Sequence, residues 1–172
     1  MAAPRRYETL WGNAVPTTVQ TVLQSSQRDN SHLVTFAVEG WIVGLRYYRD
    51  SRTRGSWVGL VRASATGIVQ AACSFKPHVS GDPSAWENAY IHPRFHVNAG
   101  ETWEITIETI GQFWTSTPSA LVAGPFVSGD LTIARDNPAG TTSFFNTTGS
   151  ASNARTSGAG AMWGIDVLFQ PK

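Results

Sequence analysis

Apolar and polar residues alternate with a period of two in one segment after another, the pattern of strands with one buried face and one wet face. Val34, Phe36 and Val38 alternate with Leu33, Thr35 and Ala37, and Glu39-Gly40 forms a corner before the next run. There, parity places Trp41, Val43, Leu45 and Tyr47 on one face and Ile42, Gly44, Arg46 and Tyr48 on the other. Residues 57–63 and 68–75 flank Ser64-Ala65-Thr66-Gly67, a hairpin loop. Residues 85–91 lead through Pro93, the mark of an edge or bend, to Phe95 and Val97. After the turn Asn98-Ala99-Gly100, Trp103, Ile105 and Ile107 face inward and Glu104, Thr106 and Glu108 outward, the cleanest amphipathic strand in the chain. Residues 163–169 close the series, with Ile165, Val167 and Phe169 inward and Asp166 outward. No helical period competes. Roughly eight short strands separated by turns predict an all-β domain, a double-sheet sandwich, jelly roll or closed barrel, and alternation alone does not choose among them.

Two stretches lack the pattern. Residues 25–31 read as a polar connection. Residues 136–160 are rich in Gly, Ser, Thr, Asn and Ala, as in a functional or packed loop, with room for a short strand at 142–145. The division expected is residues 1–31 as an N-terminal arm or first strand plus linker, and residues 32–172 as the sandwich. The arm is expected to order only against partners. A chain of 172 residues fits one such domain. Charged residues make up only 15% and the net charge is +1, so neither nucleic acid nor an anionic membrane is an expected partner. With a single cysteine, Cys73, an internal disulfide or thiolate cluster is excluded, and its parity makes it a small core residue. No apolar run approaches the ~20 residues that cross a bilayer, and none follows Arg5-Arg6 as a signal peptide would require. The expectation is a soluble chain made in the cytoplasm, with no cofactor.

Several blocks together resemble a bacterial β-sandwich family, a domain of unknown function also found in minor tail proteins of phages that infect actinobacteria. Phe36 to Tyr48 resembles its opening, an apolar strand, a Gly corner and a Gly-apolar-Arg-aromatic-Tyr strand, seen here as Gly44-Leu45-Arg46-Tyr47-Tyr48. Gly59-Leu60-Val61 with residues 68–75 is similar to the central hairpin. Trp86 to Phe95 followed by Val97-Asn98-Ala99-Gly100-Glu101-Thr102-Trp103 is similar to a block ending in Ala-Gly-x-Thr-aromatic. Ser128-Gly129-Asp130-Leu131 and residues 163–169 match the last two blocks. The resemblance covers residues 33–170, and Leu10-Trp11-Gly12-Asn13-Ala14-Val15-Pro16 resembles the opening of the phage members. It implies a jelly-roll-like antiparallel β-sandwich with an adhesive or structural role, and no catalytic residue. Two departures are Gly164, where the family has an aromatic, and Asp130, where it has a proline.

The candidate chemistry is sparse. His92 and His96 lie ~13 Å apart on a straight strand, too far for one metal ion. Glu104 and Glu108 share a strand face at a spacing too long for a glycosidase pair, and read as solvated. There is no Gly-x-Ser-x-Gly elbow and no phosphate loop around Gly158-Ala159-Gly160. Arg49, Arg52 and Arg54 cluster in one loop, a candidate docking loop or a solvated tip. Seven tryptophans are many for this length. Parity sends Trp41, Trp103 and Trp163 to the core and leaves Trp11, Trp57, Trp86, Phe113 and Trp114 as candidate interface or glycan-stacking aromatics. The function expected is that of a non-enzymatic bacteriophage virion protein, a minor-tail, tail-tip or capsid-decorating component. It would assemble with other virion proteins and with itself, as a trimer by analogy with other threefold positions. The alternative is a carbohydrate-binding module that attaches a particle to host cell-surface glycan; a hydrolase is the remaining possibility.

Overall fold

A computed structural model of the protein describes residues 7–21, 28–78, 81–109, 113–136, 142–146, 156–157 and 160–172. Among them there is no helix. The strands are β1 (Thr18–Thr21), β2 (Arg28–Phe36), β3 (Gly40–Arg49), β4 (Trp57–Ala63), β5 (Val69–Ser74), β6 (Ala85–Val97) and β7 (Thr102–Thr109). They continue with β8 (Phe113–Thr117), β9 (Phe126–Ser128), β10 (Leu131–Ile133), β11 (Ser143–Asn146), β12 (Thr156–Ser157), β13 (Met162–Trp163) and β14 (Ile165–Pro171). One sheet has the order β14-β3-β6; the other runs β12-β11-β2-β7-β4-β5, with β10 beside β2 and β9 beyond it. The two pack against each other as an all-β antiparallel sandwich around a single core. The chain crosses between sheets at β2–β3, β3–β4, β5–β6 and β6–β7.

The core is what strict alternation builds. Ile42, Leu45, Tyr47, Ile165, Val167 and Phe169 meet Phe36, Trp57, Val61, Ile105 and Ile107, all buried. Tyr47 and Trp57 stack flat with ring centroids 4.5 Å apart, and Phe75 stands edge-on to Tyr47 at 4.8 Å. Gly59 makes room for this layer, because a Cβ there would lie 2.8 Å from Cys73 Sγ and 2.9 Å from Leu45 Cδ1. Cys73 is buried, as its parity predicts, and burial pushes its thiol up to about 11.

A small sheet, β1-β8-β13, closes one end. Gly164 is its joint with the sandwich. Its amide donates to Thr115 O and its carbonyl accepts from Tyr48 N, both at 2.7 Å, so the last strand changes partner from β8 to β3 at this residue. A Cβ on Gly164 would collide with Thr115 Oγ1 and lie 2.8 Å from Pro16 Cγ. An aromatic at 164 is therefore incompatible with this packing.

Four expectations change. Strand β2 begins at Arg28 and pairs with β7 from Arg28↔Thr109 to Thr35↔Thr102, so the polar stretch ending at Ser31 is partly strand. Asn30 and Ser31 are as buried as the apolar residues that follow them. Trp41 is not core. Val43 is unpaired in both registers: it is an extra residue against β14 (Phe169↔Ile42 then Leu168↔Gly44), whereas against β6 residues 91–94 of that strand bulge opposite it (Ile42↔Phe95 then Gly44↔Tyr90). This bulge reverses parity, sending Ile42 inward and Trp41 outward. Ile68 lies outside β5 and is exposed. Finally, the N-terminal segment docks on its own sandwich.

Candidate interaction site

The docked segment, residues 7–17, is a strap across the outside of the β14-β3-β6 sheet. Glu8 adds to the free edge of β14 as a one-residue ladder, its amide donating to Phe169 O at 2.7 Å and its carbonyl accepting from Phe169 N at 2.9 Å. Leu10 and Trp11 then bury their side chains in the core cluster. The anchor beneath them is Asp166, wholly buried, on the outward parity of β14. One of its carboxylate oxygens accepts from the Leu10 amide (2.7 Å) and the Val167 amide (2.7 Å); the other accepts from the Trp11 amide (3.1 Å) and from Arg46 Nε (2.8 Å), and lies 2.7 Å from Arg46 Nη2 as an ion pair. Arg46 Nη2 also reaches Gly12 O at 2.6 Å and Thr9 Oγ1 at 3.1 Å. Burial pushes the Asp166 carboxyl upward in pKa, against the pull of Arg46 and of the two strap amides. At the other side Glu8 accepts from the Asp130 amide at 2.8 Å, and Ser128 Oγ donates to Thr9 O at 2.8 Å. A proline at 130 would have no N–H for Glu8.

Trp11 and Trp57 thus lie inside rather than on the surface. Trp11 Nε1 donates to the carbonyls of Trp163 (3.1 Å) and Ile165 (3.2 Å). Trp57 is 1% exposed. Trp86 is half-covered. Arg46 lies 4.3 Å above its ring, Trp11 and Tyr48 flank it, and its Nε1 donates to Ala14 O at 3.0 Å. Phe113 and Trp114 lie on β8, with their side chains outside the described residues. Arg49 leaves the docking loop. It is buried, paired with Glu87 at 3.1 Å and donating to the carbonyls of Asp82 and Pro83, which locks the 82–87 segment to β3. Arg52 and Arg54 remain exposed, with Arg52 held against Asp50 at 2.7 Å.

Parity reasoning missed the aromatics on the outer face of β3 and β6, one exposed and one half-buried. On the outer face of β6, Tyr90 is 62% exposed and sits opposite Gly44. Further along, Arg94 lies 4.0 Å over the Trp41 ring and His96 meets that ring edge-on at 5.8 Å. His96 Nε2 is 3.0 Å from Glu39 Oε1, and Lys172 Nζ donates to the same oxygen at 2.9 Å. The signal lay in Pro93 beside two histidines and an arginine, the composition of a wet edge with a bulge. Among the described residues no group of three or more His, Cys, Asp or Glu is placed to hold a metal ion.

The expected solvated face of β7 is a buried polar cluster. Ser31 Oγ lies 2.9 Å from Thr106 Oγ1 and donates to Glu104 Oε1 at 3.2 Å, and Thr106 also donates to that oxygen. Arg62 Nη2 bridges Asp29 (3.1 Å) and Glu108 (3.4 Å). Asp29, on the neighbouring strand β2, is paired across from Glu108. Burial first, and the Glu108 charge next, push its pKa up to about 7, and its second oxygen has no hydrogen-bond partner.

No protein-family model matches this sequence, and no curated protein matches it.

Proposed function

We propose that this chain is a non-enzymatic structural component of a bacteriophage virion, in a minor-tail, tail-tip or capsid-decorating position, acting through protein–protein contacts. The observation that carries the contact role is one flank of the sandwich. Both principal sheets end there, at β5 and β6, which run close to one another, and among the described residues neither pairs further outward. Ile68, Val69 and Tyr90 are exposed along this flank. Unpaired edges with exposed apolar side chains are templates for another chain, and Pro93 and the basic residues around it limit the open length of β6. The phage setting and jelly-roll-like connectivity rest on the sequence resemblance.

The test is to identify the chain by mass spectrometry in purified particles at a fixed copy number. Ile68→Asp with Tyr90→Glu should leave a folded chain that is no longer incorporated. A chain missing from washed particles, or incorporated equally well with both changes, removes the reading. A second reading, attachment to anionic cell-wall glycan, is favoured by the exposed Tyr90 and the half-buried Trp41 with Arg94 and His96 on the same outer face, because sugar rings stack on accessible aromatic faces. Quenching of tryptophan fluorescence by wall polysaccharide, lost in Trp41→Ala, would support it. An unchanged spectrum at saturating polysaccharide would exclude it.

A further inference from the structure

The strap is bound in the manner of a ligand. Its contacts come from one contiguous stretch, residues 8–12, read through main-chain groups and two side chains. Strand addition at the β14 edge supplies Glu8, the Asp166 carboxylate supplies acceptors for two successive amides, and Arg46 supplies donors for Thr9 and Gly12. The Trp11 ring fills the space between Trp86 and Phe126, at centroid distances of 5.9 and 6.3 Å. This is edge augmentation with side-chain pockets, a recurring way of recognising an extended peptide. The groove requires no particular covalent connection between that peptide and the body. The segment after it, residues 13–15, is exposed, and two of its main-chain groups are engaged there, Ala14 N with Trp11 O and Ala14 O with Trp86 Nε1.

The chemistry of the floor also bears on reversibility. An apolar groove emptied of its strap would expose oily surface. Here the largest polar group uncovered would be the Asp166–Arg46 pair, which regains hydration when the strap leaves. A buried ion pair offsets much of its Coulombic gain by desolvation, so docking is weaker than the buried Leu10 and Trp11 area alone implies, while remaining selective for a peptide that presents two amides and a carbonyl in register.

We propose that this groove is a chain-exchange site, in which the Glu8–Gly12 segment of a second copy of this chain can replace the chain's own strap. The occupant is that segment, because a second copy carries the same Glu-Thr-Leu-Trp-Gly sequence that every contact above reads. The proposal rests on the assembly role above only for its biological use; the exchange itself is a property of the isolated chain.

The test shortens the connection. Deleting Asn13 and Ala14 from the full chain pulls the strap out of reach of its own groove and leaves the groove intact. The expected result is a dimer or larger ring by light scattering, with Trp11 still in a buried environment by fluorescence, that falls to monomer when excess synthetic peptide of residues 7–17 is added. A monomer with Trp11 exposed overturns the proposal. As a control that does not depend on this variant folding, a dye-labelled peptide of residues 7–17 is titrated into the unaltered full chain. Saturable binding is expected, weakened about tenfold or more by Asp166→Asn, since a hydrogen bond to a charged acceptor is worth that much. The absence of binding up to millimolar peptide overturns it. Failure of the chain to appear in particles would remove the virion reading and leave these two results standing.

Discussion

Single residues set a pH profile made of two opposed parts. His32 is wholly buried between β2 and the last strands, its Nε2 accepting from Trp163 N at 3.0 Å. Burial pushes its pKa from 6.5 down to about 4. The unfolded chain takes up that proton below 6.5 and the folded chain does not, so this residue's share of stability is complete above pH 6.5 and is lost as pH falls toward 4. The full loss is about 3 kcal/mol at 1.36 kcal/mol per pH unit. Asp29 has the opposite sign. Its pKa rises from 3.8 to about 7, so the unfolded chain ionises first and stability falls as pH rises through that window. Between pH 4 and 6.5 the two slopes oppose each other. Urea midpoints at pH 4.5, 5.5 and 6.5 should show Asp29→Asn losing stability on acidification more steeply than the unaltered chain. His32→Gln should lose it less steeply, or gain. Parallel lines for all three proteins would mean that neither group titrates on unfolding. Neither residue was legible as special in the sequence. Parity says which way a side chain points, and Asp29, Glu104 and Thr106 do point away from the core. Whether a second layer covers that side depends on segments distant in the chain.

At the scale of elements, the strands were legible where both faces differ in polarity over five or more residues. The segment 57–63 coincides with β4, and the runs beginning near residues 41, 85 and 102 fall within a residue or two of β3, β6 and β7. The pieces that escaped are short or built from Thr and Ser: β1, β8, β9, β10 and β12. Two to five residues carry too few alternations to stand out, and hydroxyl side chains do not declare a face. The bulge at Val43 was illegible for a different reason, since one extra residue reverses parity without changing composition. The strap's role came into view only through Asp166, an apparently outward aspartate in an apolar strand. Its energetics give a discriminating experiment. Asp166→Asn leaves Arg46, which is largely buried, without its counter-charge and should cost about 3 kcal/mol or more. Replacing both partners by apolar residues, Asp166→Leu with Arg46→Met, removes the unpaired charge and should recover a large part of that loss in thermal stability. The paired replacement also removes acceptors from the Leu10 and Trp11 amides, so recovery is expected to stop short of the unaltered midpoint. If the double change is as damaging as the two single changes added together, the pair is not coupled and the strap is held by its side chains alone.

Over the whole molecule, the first described segment and the last strand lie side by side. Strand β14 sits between β3 and the Glu8 ladder, and it contributes Ile165, Val167 and Phe169, each fully buried, to the common core. The sandwich therefore completes only when the C-terminal strand is in place, and the strap can dock only afterwards. This ordering separates two levels of opening. Breaking β14 away from β3 dismantles the core and must unfold the domain. Lifting the strap uncovers Leu10 and Trp11, rehydrates Asp166 and Arg46, and leaves both principal sheets intact. Hydrogen exchange distinguishes the levels, because the Leu10 and Trp11 amides are hydrogen-bonded to Asp166 alone while the amides of β3 and β7 lie in sheet ladders. In native-state exchange the two strap amides should open with a clearly smaller free energy than the slowest amides of β3 and β7, and with a weaker dependence on added denaturant, since lifting the strap exposes only a fraction of the surface that global unfolding does. Strap amides that exchange only with global unfolding would make the strap an inseparable part of the sandwich. A detachable strap, in contrast, permits a rigid block to join its neighbours by trading one short segment, with no rearrangement of its core.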